Sequence, residues 1–78
     1  MNVLAVDDSR TIRDMLRLTL SGAGITSHLA EDGRHGLDVL EGIDPDVIIT
    51  DINMPRLDGF GFIEAVRRTE KHRTVPIL

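Results

Sequence analysis

Short apolar runs alternate along this chain with stretches in which apolar residues recur every three or four positions. Residues 2 to 6, NVLAV, form an apolar run that ends at the acid pair Asp7-Asp8. Such a run predicts a strand buried on both faces, as at the centre of a parallel sheet. Ser9 is a helix-capping residue type. After it, apolar residues fall at Ile12, Met15, Leu16, Leu20 and Ala23, while Arg10, Arg13, Asp14 and Arg17 lie largely on the opposite face. The spacing predicts an amphipathic helix, stopped by Gly22 and Gly24.

Ile25 to Ala30 alternates, which predicts a strand with one wet face at a sheet edge. Asp32-Gly33 signals a turn. A short helix is expected around Leu37 to Leu40, with a weak start because of Gly33 and Gly36. Asp44-Pro45 marks the next turn, and Asp46 to Thr50 reads as a third strand. Beyond a loop, Phe60, Ile63, Ala65 and Val66, interleaved with Glu64, Arg67 and Arg68, predict another amphipathic helix that decays into the polar stretch Thr69 to Thr74. Val75 to Leu78 opens a new apolar run. Strands and helices alternate throughout, the pattern of an α/β parallel sheet with right-handed crossovers. There is no internal repeat, low-complexity segment or linker.

With 78 residues the chain is expected to form one small domain that buries a modest fraction of its surface. It has no Cys, hence no disulfide, thiolate metal site or Cys nucleophile. No signal-peptide pattern is present and no apolar run approaches the length of a membrane span. These features lead us to expect a cytoplasmic location without membrane insertion. A net charge of -4, the absence of Trp and Tyr, and only two Phe argue against nucleic-acid binding, which favours a basic face or aromatic stacking platforms.

The chemistry centres on TDINMPRLDG, Thr50 to Gly59. The apolar run Val47-Ile48-Ile49 leads to the single acid Asp51, which a strand there would present at its carboxyl end, where open α/β sheets keep their chemistry. Taken alone, Asp51 reads equally well as a turn residue. Asp7 and Asp8 change that balance, because in a parallel sheet they end at the same edge as Asp51. Neighbouring strands would bring the ends within roughly 5 Å. Three such carboxylates repel one another and need a cation. An all-oxygen set favours Mg²⁺, beside which a carboxylate can act as a nucleophile toward phosphorus. Capping by Asp7 and Ser9 explains one acid well and two consecutive acids poorly.

VDDSRTIRDML and DINMPRLDG, together with AEDGRHGL, resemble the receiver domain of two-component response regulators, most closely the single-domain chemotaxis type, CheY-like. The resemblance covers the whole chain, 1–78. It implies a flavodoxin-like fold with helices on both faces and strand order 2-1-3-4-5. It implies that Asp51 is the phosphoacceptor, that Asp8 is a direct Mg²⁺ ligand, that Asp7 holds the metal's water shell and that the backbone carbonyl of Asn53 is a further ligand. Met54-Pro55 would shape the loop, Asp58-Gly59 would turn it into the next helix, and the Asn53 side chain would sit where the family tunes the lifetime of the phosphate. The implied phosphoryl donor is a phosphohistidine on a sensor histidine kinase of the chemotaxis type, with the flagellar motor switch as a candidate output. The implied protein is a phosphoacceptor that catalyses only its own phosphoryl transfer and hydrolysis, and is not otherwise an enzyme.

A phosphatase of the haloacid dehalogenase type also uses an Asp nucleophile and Mg²⁺, but it needs an acid two residues on, where this chain has Asn53. Gly59-Phe60-Gly61-Phe62 resembles half of a dinucleotide loop, yet Glu64 stands at the third glycine position. His28, His35 and His72 lack metal spacing and are expected at the surface. Arg67, Arg68, Lys71, His72 and Arg73 are expected to form a solvated face. The family pattern continues beyond a fourth strand to a hydroxyl residue and a strand-end Lys. Relative to it the chain is expected to be an N-terminal portion lacking the last third, which would associate with itself or with a complementing fragment.

Overall fold

Residues 1–78 are all described by a computed structural model. The elements are β1 (Asn2–Val6), α1 (Arg10–Gly22), β2 (Thr26–Ala30), α2 (Gly33–Leu40), β3 (Val47–Thr50), α3 (Gly59–Arg68) and a 3₁₀ turn (Glu70–His72). The strands form one sheet in the order β2-β1-β3, and every pairing is parallel. Val3 lies opposite Ser27 on one side and Val47 on the other, so β1 is central as its apolar run requires. Val75–Leu78 extends the sheet beyond β3. The amide of Ile48 donates to the Pro76 carbonyl at 2.9 Å and that of Leu78 to the Ile48 carbonyl at 2.8 Å, around a parallel bridge between Ile48 and Ile77. The observed sequence of strands is therefore that of the flavodoxin-like fold. No helix is long and apolar enough to cross a membrane.

The two faces of the sheet are covered unequally. Successive strand residues point to opposite faces. Leu4, Val6, Ala30 and Ile48 meet Leu40 from α2 and Phe62 and Val66 from α3 in one cluster, to which Met54 also belongs. Phe62 is fully buried, and side chains of this kind each contribute roughly 1.5–3 kcal/mol on burial. α1 packs on the other face, against β1 and β2. It buries no residue completely: Leu16 and Leu20 are half-buried, while Ile12, Met15 and Leu18 are exposed. The apolar stripe of α1 is thus wider than the surface it covers.

Three local expectations need correction. α2 spans Gly33–Leu40, longer than the stretch around Leu37 to Leu40, and its glycine-containing start is secured because Asp32 caps it by accepting from the His35 amide at 2.8 Å. Gly36, which weakens the helix intrinsically, is required by packing: a Cβ there would lie 2.9 Å from Phe62 Cε1 and 3.0 Å from Val6 Cγ2. His72 is buried, not at the surface. The 3₁₀ turn folds the polar stretch back against α3, and Arg67 Nη1 fastens it by donating to the carbonyls of His72 at 3.3 Å and Arg73 at 3.1 Å. Elsewhere the basic cluster is paired at the surface, Arg68 with Glu64 and Lys71 with Asp44. His28 and His35 are half-buried, and the His35 ring accepts from the Glu31 amide at 3.1 Å.

Candidate metal centre

The sheet's hydrogen-bond ladder does not stop at the strand ends; it runs into the acids. The Asp7 amide donates to the Ala30 carbonyl at 3.0 Å, and the Asp51 amide donates to the Val6 carbonyl at 2.9 Å. Both residues are therefore fixed by β-pairing at the carboxyl edge, in the crevice position of open α/β sheets. Asp7, Asp8 and Asp51 each offer an oxygen within 4.8 Å of the others. The separation expected from strand spacing is realised.

Each carboxylate is held differently. Asp7 is half-buried and its Oδ1 accepts from the Ser9 amide at 2.9 Å. The Asp7 carbonyl accepts from Arg13 Nη1 at 2.8 Å, so the second turn of α1 braces the acid pair from behind. Asp8 is exposed. Asp51 is half-buried, with Oδ1 accepting from the Ile52 amide at 2.8 Å. Asp7 and Asp51 are thus oriented by one oxygen each through a neighbouring backbone amide. A cluster of oxygen donors alone, open to solvent at Asp8, suits a small hard cation such as Mg²⁺ that retains several waters, and does not suit a soft metal.

The loop after Asp51 is closely folded. The Gly59 amide donates to the Ile52 carbonyl at 2.8 Å, and a Cβ on Gly59 would stand 2.3 Å from the Asp51 carbonyl oxygen. Only glycine lets the start of α3 approach the acid-bearing strand end so nearly. Asp58 caps α3, its Oδ1 accepting from the Gly61 amide at 2.8 Å, so the second acid of the motif is a structural one. Met54 is buried in the main core, whereas Asn53 is exposed two residues beyond Asp51.

One pair escapes sequence reasoning. Arg56 adopts a left-handed backbone, φ 66°, and its Nε donates to Asp32 Oδ2 at 2.7 Å, with Nη2 reaching the same oxygen and also Glu31 at 3.3 Å. Asp32 is almost fully buried. Burial pushes its carboxyl upward, but the His35 amide and the Arg56 guanidinium outweigh this and hold it below the ordinary value. Arg56 is shifted upward in turn by the Asp32 hydrogen bond. The pair is 24 residues apart in sequence, and no spacing rule connects a turn-type Asp to a loop Arg at that distance.

A parallel α/β sheet that gathers three carboxylates at its carboxyl edge defines the class, an open α/β protein with an acidic, all-oxygen crevice. The particular family follows from comparison: the response regulator receiver domain matches residues 3–78, and this chain belongs to that family. It is 42% identical to the sensor histidine kinase CheAY of Helicobacter pylori over 97% of its own length, which is 10% of that protein. It superposes with a TM-score of 0.94 on the chemotaxis response regulator CheY4 of Vibrio cholerae, at 46% identity, covering 97% of this chain and 63% of that one. It also matches the response regulator TrrA of Thermotoga maritima, solved in complex with Mg²⁺-BeF, at 31% identity and a TM-score of 0.83, covering 90% of this chain and 61% of that one. The chain thus spans less than two thirds of each.

Proposed function

We propose that this chain is the Mg²⁺-dependent phosphoacceptor of a histidine-to-aspartate relay, with Asp51 as the residue that receives the phosphoryl group. The observation that carries this reading is the meeting of Asp7, Asp8 and Asp51 at adjacent parallel strand ends. Asp7, Asp8, Asp51 and the Asn53 carbonyl would hold the ion. Bound Mg²⁺ would neutralise charge on the oxygens of the group being transferred. The chain itself supplies an oriented nucleophile. The Ile52 amide fixes one oxygen of Asp51, and the other attacks the donor phosphorus. A P–O bond forms as the P–N bond of a phosphohistidine breaks, and the imidazole leaves as the neutral ring after taking a proton. Attack by water later releases phosphate and restores the carboxylate. The protein acts on itself alone and turns over no separate substrate.

The donor in this reading is a sensor histidine kinase of the chemotaxis type, in the cytoplasm, and the flagellar motor switch is the proposed output. The names of CheAY and CheY4 support the chemotaxis assignment. The test is incubation with acetyl phosphate and Mg²⁺ followed by intact mass measurement. A single phosphoryl adduct that disappears in Asp51→Ala is the expected result. The absence of an adduct at saturating donor would refute it.

The exposed stripe of α1, Ile12, Met15 and Leu18, favours a second reading: an interaction or scaffold module that associates with itself or with a complementing fragment through that face. Sedimentation that finds only monomer across a range of concentrations would refute self-association.

A further inference from the structure

We propose that Arg56 is a positioning residue, which clasps the Asp51–Asp58 loop to the N-terminus of α2 and carries changes at the three carboxylates to that helix. The inference rests on the metal reading above only in its second half. The first half stands on backbone geometry.

The starting observation is the left-handed φ of 66° at Arg56. A residue with a Cβ is strained there, which glycine would avoid. Such strain persists only where the surroundings over-determine it. Here they do so through the guanidinium. Arg56 Nε donates to Asp32 Oδ2 at 2.7 Å, while the other oxygen of Asp32 accepts from the His35 amide in the first turn of α2 at 2.8 Å. One buried carboxylate therefore joins the crest of the loop to the start of a helix. Charge-assisted bonds to a planar guanidinium are strong and directional, which suits a clasp.

The seam beside the clasp is equally tight. The Gly33 amide donates to the Leu57 carbonyl at 3.0 Å, and a Cβ on Gly33 would lie 2.5 Å from that oxygen. The loop is also folded on itself, with the Leu57 amide 2.7 Å from the Pro55 carbonyl and the Gly59 amide 2.8 Å from the Ile52 carbonyl. Between Asp51 and Asp58, then, the loop is anchored at one end by β3 and at its crest by α2. The hydrogen bond between the Asp51 carboxylate and the Ile52 amide is the first link of the path, and that between Asp32 and the His35 amide is the last. Coupling of this kind is reciprocal.

The test uses the ¹⁵N-labelled chain with MgCl₂ as the only ligand, comparing wild type with Arg56→Gly and Arg56→Lys. Glycine removes the strain together with the clasp, so a thermal melt shows whether the fold persists. The expected result in Arg56→Gly is faster amide exchange at Ile52 and Leu57, a Mg²⁺ affinity lower by roughly fivefold, the low end of typical coupling between two sites, and a His35 amide that no longer shifts on Mg²⁺ addition. Arg56→Lys, which keeps the charge without the fork, recovers part of each. Unchanged loop exchange in Arg56→Gly overturns the clasp, and a His35 amide that still responds to Mg²⁺ overturns the coupling. A wild-type chain that shows no response to Mg²⁺ refutes the metal reading and the coupling together, while loop exchange still decides the clasp.

Discussion

Replacing Gly59 with Ala sets two effects of opposite sign against each other. Gly59 is the first residue of α3, where alanine is intrinsically better than glycine by up to about 1 kcal/mol. Against this, the added Cβ would lie 2.3 Å from the Asp51 carbonyl oxygen and 2.8 Å from Ile52 Cα. Both are backbone atoms, so no side chain can swing away. Ordinary contact begins near 3.4 Å, and the strand end or the helix must therefore retreat by about 1 Å. Overpacking of this kind costs about 1–3 kcal/mol, which exceeds the helix gain. We expect a net loss of about 1–2 kcal/mol, seen as a thermal midpoint roughly 5–15 °C lower by circular dichroism in a domain of this size. Because the displaced carbonyl belongs to Asp51, Mg²⁺ binding should weaken as well. Gly22→Ala is the control: nothing lies within 4 Å of that Cβ, so it should stabilise by about 0.5–1 kcal/mol. A Gly59→Ala chain that melts higher than wild type, as the control should, would show that the close approach of α3 to the acid-bearing strand is wrong.

Phe62→Ala should cost about 3–5 kcal/mol, since the ring is fully buried between α2 and the sheet and its loss leaves a cavity. The chemical denaturation midpoint should fall accordingly, and a loss below 1 kcal/mol would contradict the packing described. Asp32 carries a pH dependence whose sign is fixed by its lowered pKa. The folded chain holds the Asp32 proton less readily than the unfolded chain, so the stabilisation is complete above the ordinary value of 3.8 and is lost as pH falls through the lower folded value. Asp32→Asn, which retains a capping acceptor without the charge, should flatten the acid limb of the stability curve in that window, and an identical acid limb would refute the assignment.

The order of elements was legible in the sequence because each periodic stretch agrees with its final environment. Val3 to Val6 are buried in the sheet, with only Asn2 exposed, and the alternating Ile25–Ala30 run lies at the edge. Asp7, Asp8 and Asp51 were legible as a cluster because parallel pairing alone brings strand ends together. What the sequence could not show lay in contacts between distant segments. The glycines at 33 and 36 read as weak helix starters, and their value appears only once Leu57 and Phe62 lie against them. Asp32 read as a turn residue, yet its two oxygens serve a helix cap and an arginine 24 positions away. His72 read as a surface residue, since nothing local announces that a 3₁₀ turn will fold the polar stretch back against α3. For α1, periodicity identifies an apolar stripe but not how much of it finds a partner, and Ile12, Met15 and Leu18 stay exposed.

The central position of β1 has a consequence for how the chain folds. Of these three strands, the one synthesised first is the one that both others need. Asn2 waits for Thr26, 24 positions later, and Val3 waits for Val47, 44 positions later. Lengthening the closed segment from the first separation to the second adds only about 0.5 kcal/mol of chain entropy, so the second pairing is delayed more by synthesis than by thermodynamics. During that interval one edge of an apolar strand stands open, the condition in which growing chains are prone to aggregate. The acid cluster comes together only when β3 takes its place beside β1, because Asp7 and Asp8 follow β1 and Asp51 follows β3.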